Sequence, residues 1–224
     1  EKHGLGMVLF GGPSANLLDP DESVRKNELQ SLLKFYRDAA DRFDLSICNT
    51  FAGNMVNPSP DAPRRPFTLH GSAVACDHHW EWAGSAYREL GALAGELGIK
   101  LAFETHMNYL HDSMEGTLEL LRRIDSPHVG VNLDYGNIIN FKNASALEST
   151  IEAAGEKLFY VHLKNSIGLE DGTRIKTALS SGDINNREFV RILKNRGYSG
   201  PIAIESPRAG DRESYAVEDL AYLN

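Results

Sequence analysis

The chain of 224 residues carries a formal net charge of -8 at pH 7, with 42% hydrophobic and 24% charged residues. This composition is typical of a globular protein, and its acidic balance argues against nucleic acid as a partner, because phosphate backbones are bound by basic surfaces. We find no apolar run long enough to span a membrane and no signal-peptide pattern, and the two cysteines, Cys48 and Cys76, favour free thiols. These features predict a cytoplasmic protein without a membrane partner.

Strand-like and helix-like segments alternate along the chain. Short apolar runs predict strands at residues 6–10, 45–49, 100–104, 129–134, 158–164 and 201–205. Apolar residues at helical spacing predict helices at residues 23–43, 80–97, 114–124, 144–157 and 186–196. A loop rich in Pro, Asn and Asp covers residues 53–77. Strands separated by helices are typical of crossover units, which build a parallel sheet.

The number of strands predicts an incomplete barrel. A parallel (β/α)8 barrel needs eight strand–helix units in about 250 residues, whereas six strands are predicted here. The chain opens on "EKHGLG", typical of a helix end, and stops inside the helical pattern "ESYAVEDLAYLN". We therefore expect residues 1–224 to form a single α/β domain, a TIM barrel without its first two units. An open doubly wound sheet is the alternative, but no glycine-rich phosphate loop supports it.

Four consecutive predicted strands end on an ionisable residue: Glu104, Asp134, His162 and Glu205. In each strand the large aliphatic residues have the opposite parity, so they occupy the other face. Barrel enzymes carry their sites at the carboxyl ends of their strands, so the four side chains should converge. Three carboxylates beside an imidazole would repel one another without a cation. The pattern predicts one divalent metal ion, Mn²⁺ or Mg²⁺, with Co²⁺ or Zn²⁺ as substitutes.

The segments "LAFETH", "VGVNLDYGN", "FYVHLKN" and "SSGDINNREFVRILKNRGYSGPIAIES" resemble the xylose isomerase-like barrel family of sugar-phosphate isomerases and epimerases. The resemblance implies that Glu104, Asp134, His162 and Glu205 bind one metal ion. In the ketose 3-epimerase branch, it also implies that Glu104 and Glu205 exchange protons with the substrate carbon on opposite faces.

Two positions depart from the epimerase branch. Asn137 stands where the branch has a His, and Gly168 stands where it has an Arg. Both family residues help to hold substrate, which argues against a free ketohexose. Because His106 and Lys164 each follow a predicted ligand by two residues on the same face, we expect them to contact the substrate, together with Asn137.

The site chemistry implies a small carbohydrate substrate but leaves the reaction open. Removal of a proton beside a carbonyl gives an enediolate, which can lead to isomerisation, epimerisation or, after loss of a hydroxyl, dehydration. Two other readings remain: a multinuclear zinc phosphodiesterase of the apurinic-endonuclease type, and a barrel that binds a sugar without converting it. The sequence also leaves open whether the protein forms a homo-oligomer.

Overall fold

The computed structural model describes residues 6–206 and 208–224, and its centre is a curled six-stranded parallel sheet, a partial (β/α)8 barrel. The strands of the sheet follow one another in the order β1-β2-β3-β4-β5-β8. Their bounds are β1 Phe10–Gly11, β2 Ile47–Thr50, β3 Lys100–Glu104, β4 Val129–Asp134, β5 Leu158–Leu163 and β8 Ile202–Ile204. Within the described residues β1 and β8 are the two edges of the sheet, so the barrel is open, as its strand count predicts.

Helices follow most of the strands and cover the outside of the sheet. Their bounds are α1 Glu22–Ala40, α2 Asp77–Leu97, α3 Met114–Ile124, α4 Tyr135–Ile138, α5 Leu147–Ala154, α6 Asn186–Asn195 and α7 Arg212–Leu223. Local capping sets several helix ends. The Asp21 side chain accepts a hydrogen bond from the backbone N–H of Ser23 at the start of α1, and Gly98 ends α2 at a φ of 68°.

The two faces of the sheet carry different residues, as the parity of the sequence predicts. Large aliphatic and aromatic side chains on the outer face are fully buried against the helices, among them Leu101, Phe103, Val131, Leu133 and Val161. The inner face carries a small second cluster and the polar residues at the strand ends. Burial of the outer face stabilises the fold, and the inner face is left for polar side chains.

Several elements differ from the predictions. The strand predicted at residues 6–10 is reduced to Phe10–Gly11, where the chain pairs with β2. The helix predicted at residues 144–157 ends at Ala154, because Gly155 turns to a φ of 49°. Residues 1–5 of the predicted helix end at the start of the chain lie outside the described residues.

An antiparallel hairpin between β5 and α6 was not predicted. Its strands are β6 Ser166–Gly168 and β7 Arg174–Lys176, joined by a turn with Gly172 at a φ of 79°. The short helix α4 was not predicted either, and it starts directly at the end of β4. In the described part of the chain, no helix has the length and apolar character needed to cross a membrane.

Candidate metal centre

The structure brings together the four ionisable residues at the strand ends, Glu104, Asp134, His162 and Glu205. One potential ligand atom from each lies within 4.8 Å of those of the other three. His162 Nδ1 lies 3.8 Å from Glu104 Oε2, 3.6 Å from Asp134 Oδ2 and 3.5 Å from Glu205 Oε2. Three carboxylates thus surround one imidazole nitrogen.

The register of the parallel strands produces this convergence. Glu104 of β3 is opposite Asn132 of β4, and Asp134 of β4 is opposite His162 of β5. Glu205 directly follows β8, and its backbone N–H donates to the carbonyl of Leu163. The first three side chains are buried, whereas the side chain of Glu205 is 43% exposed. The centre is therefore open to solvent on the side of Glu205.

Amide side chains hold Glu104 in place. Asn49 Nδ2 donates to Glu104 Oε2 over 2.8 Å, and Asn137 Nδ2 donates to Glu104 Oε1 over 3.2 Å. Asn132 Nδ2 in turn donates to Asn49 Oδ1 over 3.1 Å. The sequence analysis missed Asn49 and Asn132 as site residues, although each lies on a strand. Asn132 shares the parity of Asp134, which was a usable signal.

Lys164 makes two ion pairs inside the centre. Its Nζ lies 2.5 Å from Asp134 Oδ2 and 2.6 Å from Glu205 Oε2, and it donates to Asn137 Oδ1 over 3.3 Å. Two of the three residues predicted to contact substrate, Lys164 and Asn137, therefore lie at the centre itself.

Burial and the charged neighbours shift the pKa values of the centre. Burial raises the pKa of Glu104, and the charges of Asp134 and Glu205 add to the rise. Burial alone would also raise the pKa of Glu205, but His162 and Lys164 hold it well below its usual range. For His162, burial disfavours the charged ring, yet the hydrogen bonds and charges of the surrounding carboxylates raise its pKa to about 9. The three carboxylates thus draw positive charge into the centre.

The residues present fit a divalent metal ion. His162 Nδ1 is buried and makes no hydrogen bond within the described residues, although it faces three carboxylates. Buried polar atoms are nearly always partnered, so an orphaned imidazole nitrogen among carboxylates needs a cause. A donor set of carboxylate oxygens and one imidazole nitrogen suits Mn²⁺ or Mg²⁺.

His106 lies apart from this group. Its Nδ1 is 2.9 Å from the carbonyl oxygen of Met107, and its ring meets the edges of Phe51 and Tyr109. The half-buried ring forms part of an aromatic cluster in the loops after β2 and β3. In the described residues we find no hydrogen bond from His106 to the metal-centre carboxylates.

His111 supports the centre and was not predicted. Its ring is fully buried, its Nδ1 donates to the carbonyl oxygen of Glu104 over 2.6 Å, and its Nε2 accepts from the backbone N–H of Ala52 over 3.3 Å. These partners assign a neutral ring with the proton on Nδ1. Burial lowers the pKa of His111 to about 3, which agrees with that assignment. The imidazole connects the loop after β2 to the end of β3.

A second group of metal-ligating side chains, Cys76, His78 and His79, gathers at the start of α2. His79 Nδ1 accepts a hydrogen bond from the backbone N–H of Cys76 over 3.0 Å and so helps to cap the helix. His70, in the preceding loop, is buried and uses both ring nitrogens, one with Asn57 and one with Pro63. These histidines therefore have structural partners of their own.

Comparison with known proteins places the fold and relates the chain to enzymes. The sequence model of the family described as xylose isomerase-like TIM barrel matches residues 1–224. An inosose dehydratase of Clostridium perfringens is 25% identical over 170 residues, which cover 68% of this chain and 57% of that protein. An L-ribulose 3-epimerase of Methylomonas sp. is 28% identical over 126 residues, which cover 54% of this chain and 40% of that protein. The chain thus spans about half the length of the curated relatives it matches.

Two solved structures show the same fold. The 3-keto-D-glucoside 4-epimerase of E. coli superposes with a TM-score of 0.76 at 17% identity, covering 99% of this chain and 80% of that one. A xylose isomerase-like TIM barrel protein of Mycobacterium smegmatis, in complex with magnesium, has a TM-score of 0.76 at 21% identity, with coverage of 99% and 73%. At these identities the two structures establish the architecture alone.

Proposed function

Because the chain belongs to the xylose isomerase-like TIM barrel family, we propose that it is a divalent-metal-dependent isomerase or epimerase of a sugar, sugar phosphate or keto-polyol. The observation that carries the proposal is the convergence of Glu104, Asp134, His162 and Glu205 at the carboxyl ends of neighbouring strands. The epimerase and dehydratase relatives support a reaction that begins with removal of a proton beside a carbonyl.

The proposed ligands of the ion are Glu104, Asp134, His162 and Glu205. The orphaned His162 Nδ1 and the oxygen-rich donor set support Mn²⁺ or Mg²⁺, and a structural neighbour holds magnesium. When bound, such an ion polarises the substrate carbonyl and stabilises the negative charge that follows loss of a proton from the neighbouring carbon.

Glu104 and Glu205 are the proposed proton-exchanging groups. They lie on β3 and directly after β8, with β4 and β5 between them, so they reach the centre from different sides. Glu104 is held by two amide donors, and the rise in its pKa on burial favours the protonated, acid form. Glu205 is more exposed and is kept ionised by Lys164, which suits it to act as a base. One carboxyl group thus has the environment of an acid and the other that of a base.

We propose that Asn137 and Lys164 bind substrate oxygens and that His106 forms part of the wall of the site. The Lys164 ammonium and the Asn137 amide are both hydrogen-bonding groups beside the proton-exchanging carboxylates. His106 presents its ring with Phe51 and Tyr109, a surface suited to the apolar face of a sugar ring.

Dehydration is the second candidate reaction. The 25% identity to an inosose dehydratase over 68% of the chain favours it, and the same carboxylate pair could protonate a leaving hydroxyl. The phosphodiesterase reading has less support, because the centre gathers one histidine with three carboxylates and multinuclear zinc sites use more histidines.

One experiment tests the proposal and separates the two reactions. The metal-loaded protein is incubated in heavy water with a panel of ketoses, their phosphates and keto-inositols, and the products are analysed by mass spectrometry and chromatography. Incorporation of one deuterium with an inverted or relocated hydroxyl indicates epimerisation or isomerisation, and loss of water indicates dehydration. If no panel member exchanges a carbon-bound hydrogen while the protein holds its metal, the proposal is wrong.

A further inference from the structure

Lys164 contacts the same carboxylate oxygens that face the imidazole of His162. Asp134 Oδ2 and Glu205 Oε2 lie 3.6 and 3.5 Å from His162 Nδ1, and these two oxygens lie 2.5 and 2.6 Å from Lys164 Nζ. An ammonium in this position and a divalent ion bound by His162 both require these two oxygens. Two cations cannot share the oxygens without strong mutual repulsion in a buried site.

We infer that Lys164 is a built-in competitor of the divalent ion, which lowers the metal affinity of the centre and is released towards the substrate when the ion binds. This inference rests on the proposed function, since it concerns the metal site of that reaction. It assigns to Lys164 a role beyond contact with substrate: the lysine becomes available as a binding group only in the metal-loaded protein.

The backbone at Gly136 makes this position of the lysine sterically accessible. A Cβ atom on Gly136 would lie 2.1 Å from Lys164 Cγ and 2.7 Å from Cδ, so any larger residue would displace the lysine stem. The stem crosses the start of α4, and the Nζ also donates to Asn137 Oδ1. The side chain is only 18% exposed, so solvent screens its charge weakly. The lysine is thus held at the carboxylates and does not merely visit them.

The released ammonium has a defined neighbour. Asn137 Oδ1 already accepts from Lys164, and Asn137 itself is fixed by its hydrogen bonds to Glu104 and to the carbonyl oxygen of Thr105. A lysine that leaves Asp134 can therefore keep its contact with Asn137 and present its remaining N–H groups to a substrate oxygen. Metal binding would then precede productive substrate binding.

Calorimetric titration of the chelator-treated protein with Mn²⁺ alone tests the inference. Removing the competing charge in Lys164→Met should lower the Mn²⁺ dissociation constant at least about tenfold at low salt, as expected for a weakly screened charge within a few ångströms. Lys164→Arg keeps the charge and should stay close to the wild type. Lys26→Met is the matched control for net charge, since Lys26 is 72% exposed on α1, and it should leave Mn²⁺ affinity unchanged.

Unchanged or weaker Mn²⁺ binding by a folded Lys164→Met protein would overturn the inference. If that variant does not fold, Lys164→Gln serves the same test, because its neutral amide can still donate to Asp134, and it should also bind Mn²⁺ more tightly than the wild type. The two proposals fail in different ways. A wild-type protein that binds no Mn²⁺ defeats the proposed function, whereas equal binding by the wild type and both neutral variants defeats only the role of Lys164.

Discussion

The Nδ1–H of His111 donates to the carbonyl oxygen of Glu104 over 2.6 Å, which ties a buried, neutral imidazole to the strand end that carries a proposed metal ligand. The other ring nitrogen accepts from the backbone of Ala52, in the loop after the neighbouring strand. The ring thus fixes two adjacent strand ends relative to each other. His111 is a positioning residue, since its partners are backbone atoms.

We expect His111→Phe to destabilise the protein by about 1–3 kcal/mol for each backbone group left without a partner. The aromatic ring fills a similar volume, so the lost hydrogen bonds to Glu104 and Ala52 dominate the effect. Urea unfolding measures the change. His78→Phe, at an exposed position, is the control and should leave the free energy of unfolding nearly unchanged. Equal stability of the two variants would show that the His111 hydrogen bonds contribute nothing.

Asp112 should make stability depend on pH. Burial raises the pKa of Asp112 to about 6, although its Oδ2 accepts from the backbone N–H of Ser72. Because the folded pKa lies above the unfolded value of 3.8, the native state binds the proton more tightly, and stability falls as the pH rises from about 4 to about 6. The loss corresponds to roughly 3 kcal/mol for a rise of about two pKa units.

Asp112→Asn should remove this loss, because the amide carries no charge and keeps an oxygen for Ser72. We expect the variant to unfold at a higher urea concentration than the wild type at pH 7.5, and the difference to disappear near pH 4. Asp61→Asn, at an exposed loop position, should follow the wild type at both pH values. A constant difference between Asp112→Asn and the wild type across this range would contradict the raised pKa.

The two glutamates should respond differently to amide substitution. Both carboxylate oxygens of Glu104 accept from side-chain amides, one from Asn49 and one from Asn137. Glu104→Gln must turn its NH₂ group towards one of these donors, whereas Glu205→Gln faces Lys164 and open solvent. We expect Glu104→Gln to lose more Mn²⁺ affinity than Glu205→Gln, and both to lose substrate deuterium exchange. Near-normal turnover by either metal-loaded variant would remove that glutamate from the proton-exchange step.

Mn²⁺ should stabilise the folded protein through Asp134. Saturation at about 100 times the dissociation constant adds about 2.7 kcal/mol, which raises the melting temperature by roughly 5–10 °C for a chain of this size. Asp134→Asn removes the charge and keeps an oxygen to accept from the backbone N–H of Asn137, so its own fold should persist while the Mn²⁺ shift disappears. Asp38→Asn, an exposed control on α1, should keep the full shift, and a shift in Asp134→Asn equal to it would exclude Asp134 as a ligand.

The sequence alone determined the parallel sheet and the gathering of the four ionisable residues. Strand period and strand direction are local properties: equal parity places residues on one face, and parallel strands bring their carboxyl ends to one edge. The bounds of β4 and α3 agree with the predicted residues for the same reason, since periodicity and capping lie within the segment itself. The hairpin of β6 and β7 had a local signal too, the Asp171-Gly172 turn, which was missed.

Only the tertiary structure decided which side chains support the centre. Asn49 reaches Glu104 across 55 positions of sequence, and the His111 ring joins two loops that are separate in the chain. The engagement of Lys164 with Asp134 and Glu205 likewise depends on the space left by Gly136 and on the register of three strands. Such contacts depend on distances between segments that are remote in sequence, and no local pattern of residue types encodes them.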